Sequence, residues 1–80
     1  MNQIEAKLGI KLTDGKYTFD SDYAWSNAFT KIGLDPEFQL DGKSTATNEL
    51  TSFVYTNGIY DLLFKAEHDN DLFTLTVTER

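Results

Sequence analysis

The sequence predicts an α+β domain in which two helices pack on a five-stranded antiparallel sheet, in the order α-β-α-β-β-β-β. Two observations predict it. One segment near the middle of the first half carries an apolar period of 3.6 residues, and from residue 37 onward the period changes to two, with turn dipeptides between the alternating runs. Helices that precede a run of strands cover one face of an antiparallel sheet.

The elements follow in order. Ile4 and Leu8 stand one helical turn apart and Gly9 follows, which predicts a short amphipathic helix over residues 2–8. Asp14-Gly15 makes a turn, and Lys16 to Asp20 alternates as a short strand. Ser21 is placed to cap a helix, and Asp22 puts negative charge where the helix dipole is positive. Trp25, Ala28, Phe29 and Ile32 then fall at i, i+3, i+4 and i+7, with Gly33 as a left-handed cap and Pro36 preventing continuation. Phe38 and Leu40 alternate up to a turn at Asp41-Gly42. After the polar stretch Lys43 to Asn48, Leu50 to Tyr55 is β-branched and aromatic. Asn57-Gly58 carries the signature of a type I′ hairpin turn. Tyr60, Leu62, Phe64 and Ala66 share one face of the next strand, opposed by Ile59, Asp61, Leu63, Lys65 and Glu67. His68 to Asp71 makes another turn, and Phe73, Leu75 and Val77 oppose Thr74, Thr76 and Thr78 in the last strand.

Eighty residues with 40% hydrophobic and 14% aromatic content suffice for one domain spanning residues 1–80 and leave no room for a second core. The absence of cysteine excludes a disulfide framework and a thiolate metal site. No stretch approaches the roughly 20 apolar residues of a membrane-crossing helix, and the N-terminus lacks the basic and apolar regions of a leader, so the expectation is a cytoplasmic protein with no membrane role. Thirteen Asp and Glu against seven Lys and Arg give a net charge of −6, which repels phosphates and anionic membranes and favours basic partners over direct nucleic-acid binding.

No catalytic constellation stands out, and the expectation is a non-enzyme without metal or cofactor. His68, the one histidine, lies in an acidic turn that reads as a solvated hairpin end, and the five glycines are scattered singly, which leaves no phosphate-cradling loop. Many of the acids fall at turns and strand ends, so they collect around the rim of a sheet, where a row of carboxylates imitates a row of phosphates.

Phe19-Asp20-Ser21, followed by a helix ending in Ile32-Gly33-Leu34-Asp35-Pro36-Glu37, resembles the phage uracil-DNA glycosylase inhibitor family. That family has an acidic residue and serine on its first strand and a helix closing in an I-G-x-x-P-E segment. Ile4-Glu5 with Gly9 and Leu12, the Ser44-Thr45 and Asn48 loop, and the stretch from Tyr60 through Asp69-Asn70 to Val77 extend the resemblance over nearly the whole chain. The resemblance implies a DNA mimic that binds uracil-DNA glycosylase one to one, laying the edge of its first strand along the enzyme's DNA cleft. Asp20 and Ser21 would be first contacts, with Asp22, Tyr23 and Asn27 beside them.

The resemblance also implies a pocket between the second helix and the sheet that receives an apolar side chain of the enzyme. By position it would be formed by Ala28, Phe29 and Ile32 of the helix and by Phe53, Tyr55, Leu62 and Phe64 of the sheet. The same residues equally describe an ordinary α+β core, and Trp25 reads either as a core anchor or as part of the pocket rim. The chain departs from the family where Asn27 and Thr30 occupy the places of helix glutamates, and where Asp22 and Tyr23 replace apolar residues. Asp20, Asp22 and the loop acids must then carry more of the mimicry. Two alternatives stand beside this reading: another small acidic inhibitor (anti-restriction, anti-CRISPR or immunity protein), or an assembly domain pairing through a free edge at Leu72 to Thr78.

Overall fold

The computed structural model describes residues 3–80, so the Asn2 start of the predicted first helix lies outside the described residues. The order is α-β-α-β-β-β-β: α1 (Gln3–Leu8), β1 (Lys16–Phe19), α2 (Asp22–Leu34), β2 (Gln39–Ala46), β3 (Leu50–Thr56), β4 (Tyr60–Glu67) and β5 (Leu72–Glu79), with a 3₁₀ turn at His68–Asn70. The strands form one antiparallel sheet in the order β1-β5-β4-β3-β2.

That order corrects one expectation. The last strand is interior, flanked by β1 and β4 through the registers Phe19↔Phe73 and Ala66↔Phe73, so Leu72 to Thr78 offers no free edge. The edges belong to β1 and β2. Hairpins joined in sequence bring β2 to β5 together as a meander, and β1 closes onto the far side of β5.

Register builds the core. Tyr17, Leu75, Phe64 and Phe53 lie side by side across four strands, and Val77, Leu62 and Tyr55 form the adjacent row. This face meets Trp25, Ala28 and Ile32 of α2 and Ile4 of α1, all buried. Leu62, Phe64, Leu75 and Ile4 are fully buried, each side chain contributing about 1.5–3 kcal/mol relative to exposure. Trp25, Phe29, Phe53 and Phe64 pack edge-on, tilted or stacked with ring centroids 5.0 to 6.4 Å apart. The opposite sheet face carries Thr74, Lys65, Ser52 and Thr45 in one row, as the alternation predicts.

Three local expectations need correction. Gly33 is inside α2 in ordinary helical conformation, and the cap is Asp35, whose N–H donates to the Ile32 carbonyl at 3.1 Å. The helix runs through Gly33 to Leu34 and stops there because Pro36 pushes the preceding Asp35 out of helical conformation. Asp41-Gly42 does not end a strand: β2 runs on to Ala46, and Gly42, at φ +76°, marks an irregularity in the β2–β3 register between Asp41 and Thr45. The Asn57-Gly58 turn is not type I′. Only Gly58 has positive φ, the two loop residues are Gly58 and Ile59, and the Asn57 carboxamide oxygen accepts from the N–H groups of Ile59 and Tyr60 at 2.9 and 2.8 Å. The type I′ pattern sits at Asp14-Gly15, where both residues have positive φ (52° and 75°) and Thr13 and Lys16 exchange backbone bonds of 2.9 and 3.0 Å.

Candidate functional site

The site grows from the β1–α2 junction. Ser21 is extended (φ −153°, ψ 161°), and its Oγ accepts from the Ala24 N–H at 3.1 Å, so the predicted cap forms. Capping turns the chain sharply out of the edge strand, leaving Asp20, Ser21, Asp22 and Tyr23 exposed, Tyr23 to 77%. Asp22 accepts from the Ser26 hydroxyl at 3.2 Å one helical turn on. Asn27 is exposed one turn beyond Tyr23, so the five residues expected to meet a partner share one corner of the molecule.

The sheet extends that corner. Because Phe19, Phe73, Ala66 and Thr51 are aligned across β1, β5, β4 and β3, the chain ends beyond them lie along one end of the sheet. Asp20 leads there to Asp71 and Asp69, then to Glu67 and Glu49. The His68 N–H donates to the Glu49 carbonyl at 2.9 Å, and the His68 Nε2 lies 2.9 Å from the Thr51 hydroxyl, which fixes the His68–Asn70 turn against the start of β3. Glu49, Leu50, Lys65, Glu67, Asp69 and Asn70 line a groove of about 280 Å³.

Charge pairing sharpens the contrast between the two ends of the sheet. Asp20, Asp22, Glu49, Asp69 and Asp71 form no ion pair among the described residues, and Glu67 meets Lys65 at 3.6 Å. At the far end, the Arg80 guanidinium bonds Asp61 at 2.7 Å and Asp41 at 2.5 Å, holding the Asp61 carboxyl below the usual carboxylate range. On the helical layer Lys7 bonds Asp35 and lowers its pKa in the same way. Five carboxylates without an ion pair thus lie at the end that carries Asp20, while Asp14, Glu37 and Glu79, placed elsewhere, also form none among the described residues.

Ala28, Ile32, Leu62 and Phe64 are buried, with exposures from 0 to 6%, and Phe29, Phe53 and Tyr55 are half-buried against them. The structure brings all seven together as the packed centre of the domain. A cavity lies on the other flank of α2, between that helix, β1 and the segment after α1. Of the seven, only Ala28 lines it, and Asn27 lines it as well. Sequence reading missed this cavity and the groove at Glu49. Ile10, an apolar residue outside any periodic element, was the available signal for the first.

The outer edge of β1 is short. Gly15 O accepts from the Val77 N–H at 2.7 Å, so by alternation the backbone groups of Lys16 and Thr18 point away from β5. Thr13 occupies those of Lys16, leaving Thr18 to face outward next to Asp20. The edge there therefore offers side chains more than a ladder of free backbone groups. No protein-family profile, curated protein or solved structure matches the chain.

Proposed function

We propose that this protein is an inhibitor that binds a basic, DNA-binding protein by presenting carboxylates where DNA would present phosphates, with uracil-DNA glycosylase as the target to which its resemblance points. The observation that carries the reading is the placement of Asp20 and Ser21 at the end of an edge strand, in line with Asp71, Asp69, Glu67 and Glu49 from the ends of β5, β4 and β3, of which only Glu67 meets a cation. Across four strands the acidic end spans about 15 Å. Duplex DNA carries on the order of nine charges over that length, so the five unpaired carboxylates, with Glu67 shared with Lys65, supply a field of the same sign at about half that density.

Binding in this reading is one to one, needs no cofactor and involves no chemistry on the target. Asp20, Asp22 and Asp71 meet the cationic cleft, while the groove between Glu49, Glu67 and Asp69 accommodates a lysine or arginine side chain. The inhibitor itself does not bind nucleic acid. No described helix is long and apolar enough to cross a membrane, and the cytoplasm is the compartment in which such a target is met.

Titration of a bacterial uracil-DNA glycosylase with this protein, on a uracil-containing oligonucleotide, tests the reading. Loss of excision saturating at one equivalent is expected. Full activity at large excess excludes that enzyme and moves the proposal to another basic target, such as a restriction or CRISPR nuclease.

A further inference from the structure

The cavity beside β1 measures about 240 Å³ and has the composition of a ligand site. Leu8, Ile10, Phe19, Ala24 and Ala28 supply its apolar wall. Three polar side chains complete it, Tyr17, Asn27 and Lys31, and none of them hydrogen-bonds another described residue through its side chain. The protein carries a net charge of −6, yet the one charged residue lining this cavity is a lysine. Lys11, next to the lining residue Ile10, is likewise free of ion pairs among the described residues, whereas Lys7 is held by Asp35.

We propose that this cavity binds a small amphipathic monocarboxylate, with its apolar body against Phe19, Ala24 and Ala28 and its carboxylate on the Lys31 ammonium. Size and charge both select this class. An apolar cavity of about 150 Å³ holds benzene, so the larger volume here suits an apolar body of about eight carbons. A cation at the edge of an otherwise apolar wall favours a carboxylate over an alcohol or an amine through a charge-assisted hydrogen bond. Tyr17 and Asn27 add donors for the second carboxylate oxygen. The site does not depend on the inhibitor function.

Octanoate, with 1-octanol and octylamine as uncharged and oppositely charged analogues, tests the proposal by amide chemical-shift titration of the full chain. Octanoate is expected to give saturable shifts at residues 8–10, 17–19 and 24–31, and to bind about tenfold more tightly than 1-octanol. Lys31→Gln, an exposed change, should abolish that preference while leaving the spectrum of the free protein intact. Ala24→Leu, which fills the wall, should weaken both probes. Equal binding of octanoate and 1-octanol, shifts spread over the open sheet face, or no saturable shift at low millimolar octanoate would each overturn the proposal. So would the same residues shifting with protein concentration in the absence of probe, since the occupant would then be a second copy of the chain.

Discussion

The indole N–H of Trp25 donates to the carbonyl oxygen of Thr74 at 3.1 Å, so α2 is fastened to β5 by a directed bond as well as by packing. The bond sets the rotation of the helix over the sheet. With it, the residues that follow the Ser21 cap hold their positions relative to the strand ends.

Trp25→Phe keeps an aromatic ring but removes the donor that reaches the Thr74 carbonyl. A loss of about 2–4 kcal/mol is expected, combining the unmade hydrogen bond with the smaller ring volume. Urea denaturation followed by circular dichroism measures it, and an unchanged m-value would locate the effect in stability alone.

Arg80 joins Asp61 of β4 to Asp41 of β2 across the open sheet face, so Arg80→Ala should destabilise the protein in a pH-dependent way. The hydrogen bond from Arg80 lowers the Asp61 pKa in the folded state. The stabilisation is therefore present above the unfolded carboxylate range and is lost as pH falls through the lower folded value. Melting temperatures of wild type and Arg80→Ala should differ near neutral pH and converge in acid. They should also converge at high salt, because all three side chains are solvent-exposed in part.

Gly15→Ala and Gly9→Ala separate backbone strain from steric clash. Both glycines have positive φ, but a Cβ at Gly15 would lie 2.8 Å from the Val77 carbonyl oxygen, whereas Gly9 faces open space. Gly9→Ala should cost about 1 kcal/mol from conformation alone. Gly15→Ala should cost at least about 2 kcal/mol, because the β1–β5 seam must also shift. Paired denaturation curves give the difference directly.

Charge reversal at the two ends of the sheet tests the proposed binding surface. Asp20→Lys is expected to weaken inhibition of a uracil-DNA glycosylase at least tenfold and to flatten its salt dependence. Glu79→Lys, an equal change in net charge at the end of β5 remote from Asp20, should alter it by less than about threefold. Equal effects of the two would mean that net charge, and not the placement of Asp20, governs association.

The architecture was legible because the strongest signals were periodic. The Trp25, Ala28, Ile32 stripe and the alternation in β4 and β5 each specify one buried face, and the Ser21 cap follows from a single hydroxyl at the right position. Turn chemistry was legible in location but not in type. Asp14-Gly15 and Asn57-Gly58 offer the same kind of dipeptide, and which becomes type I′ depends on how the flanking residues pair. Strand order was not legible at all: nothing local in Leu72 to Thr78 reveals that β1 will cover its edge. Ion pairing was hidden for the same reason, since Arg80 at the end of β5 reaches Asp41 of β2 only once β4 and β3 are paired between them.

The pairing of β1 with β5 has a consequence for the order of assembly. Strands β2 to β5 form from neighbouring hairpins, which close small loops, whereas Phe19 must await Phe73. Closing that long loop costs more chain entropy and is slow relative to the local hairpins. The corner bearing Asp20 and Ser21 is therefore the last part of the sheet to be seated. During synthesis it stays unformed until residues 73–76 have emerged, so the proposed contact surface is completed only after the rest of the sheet.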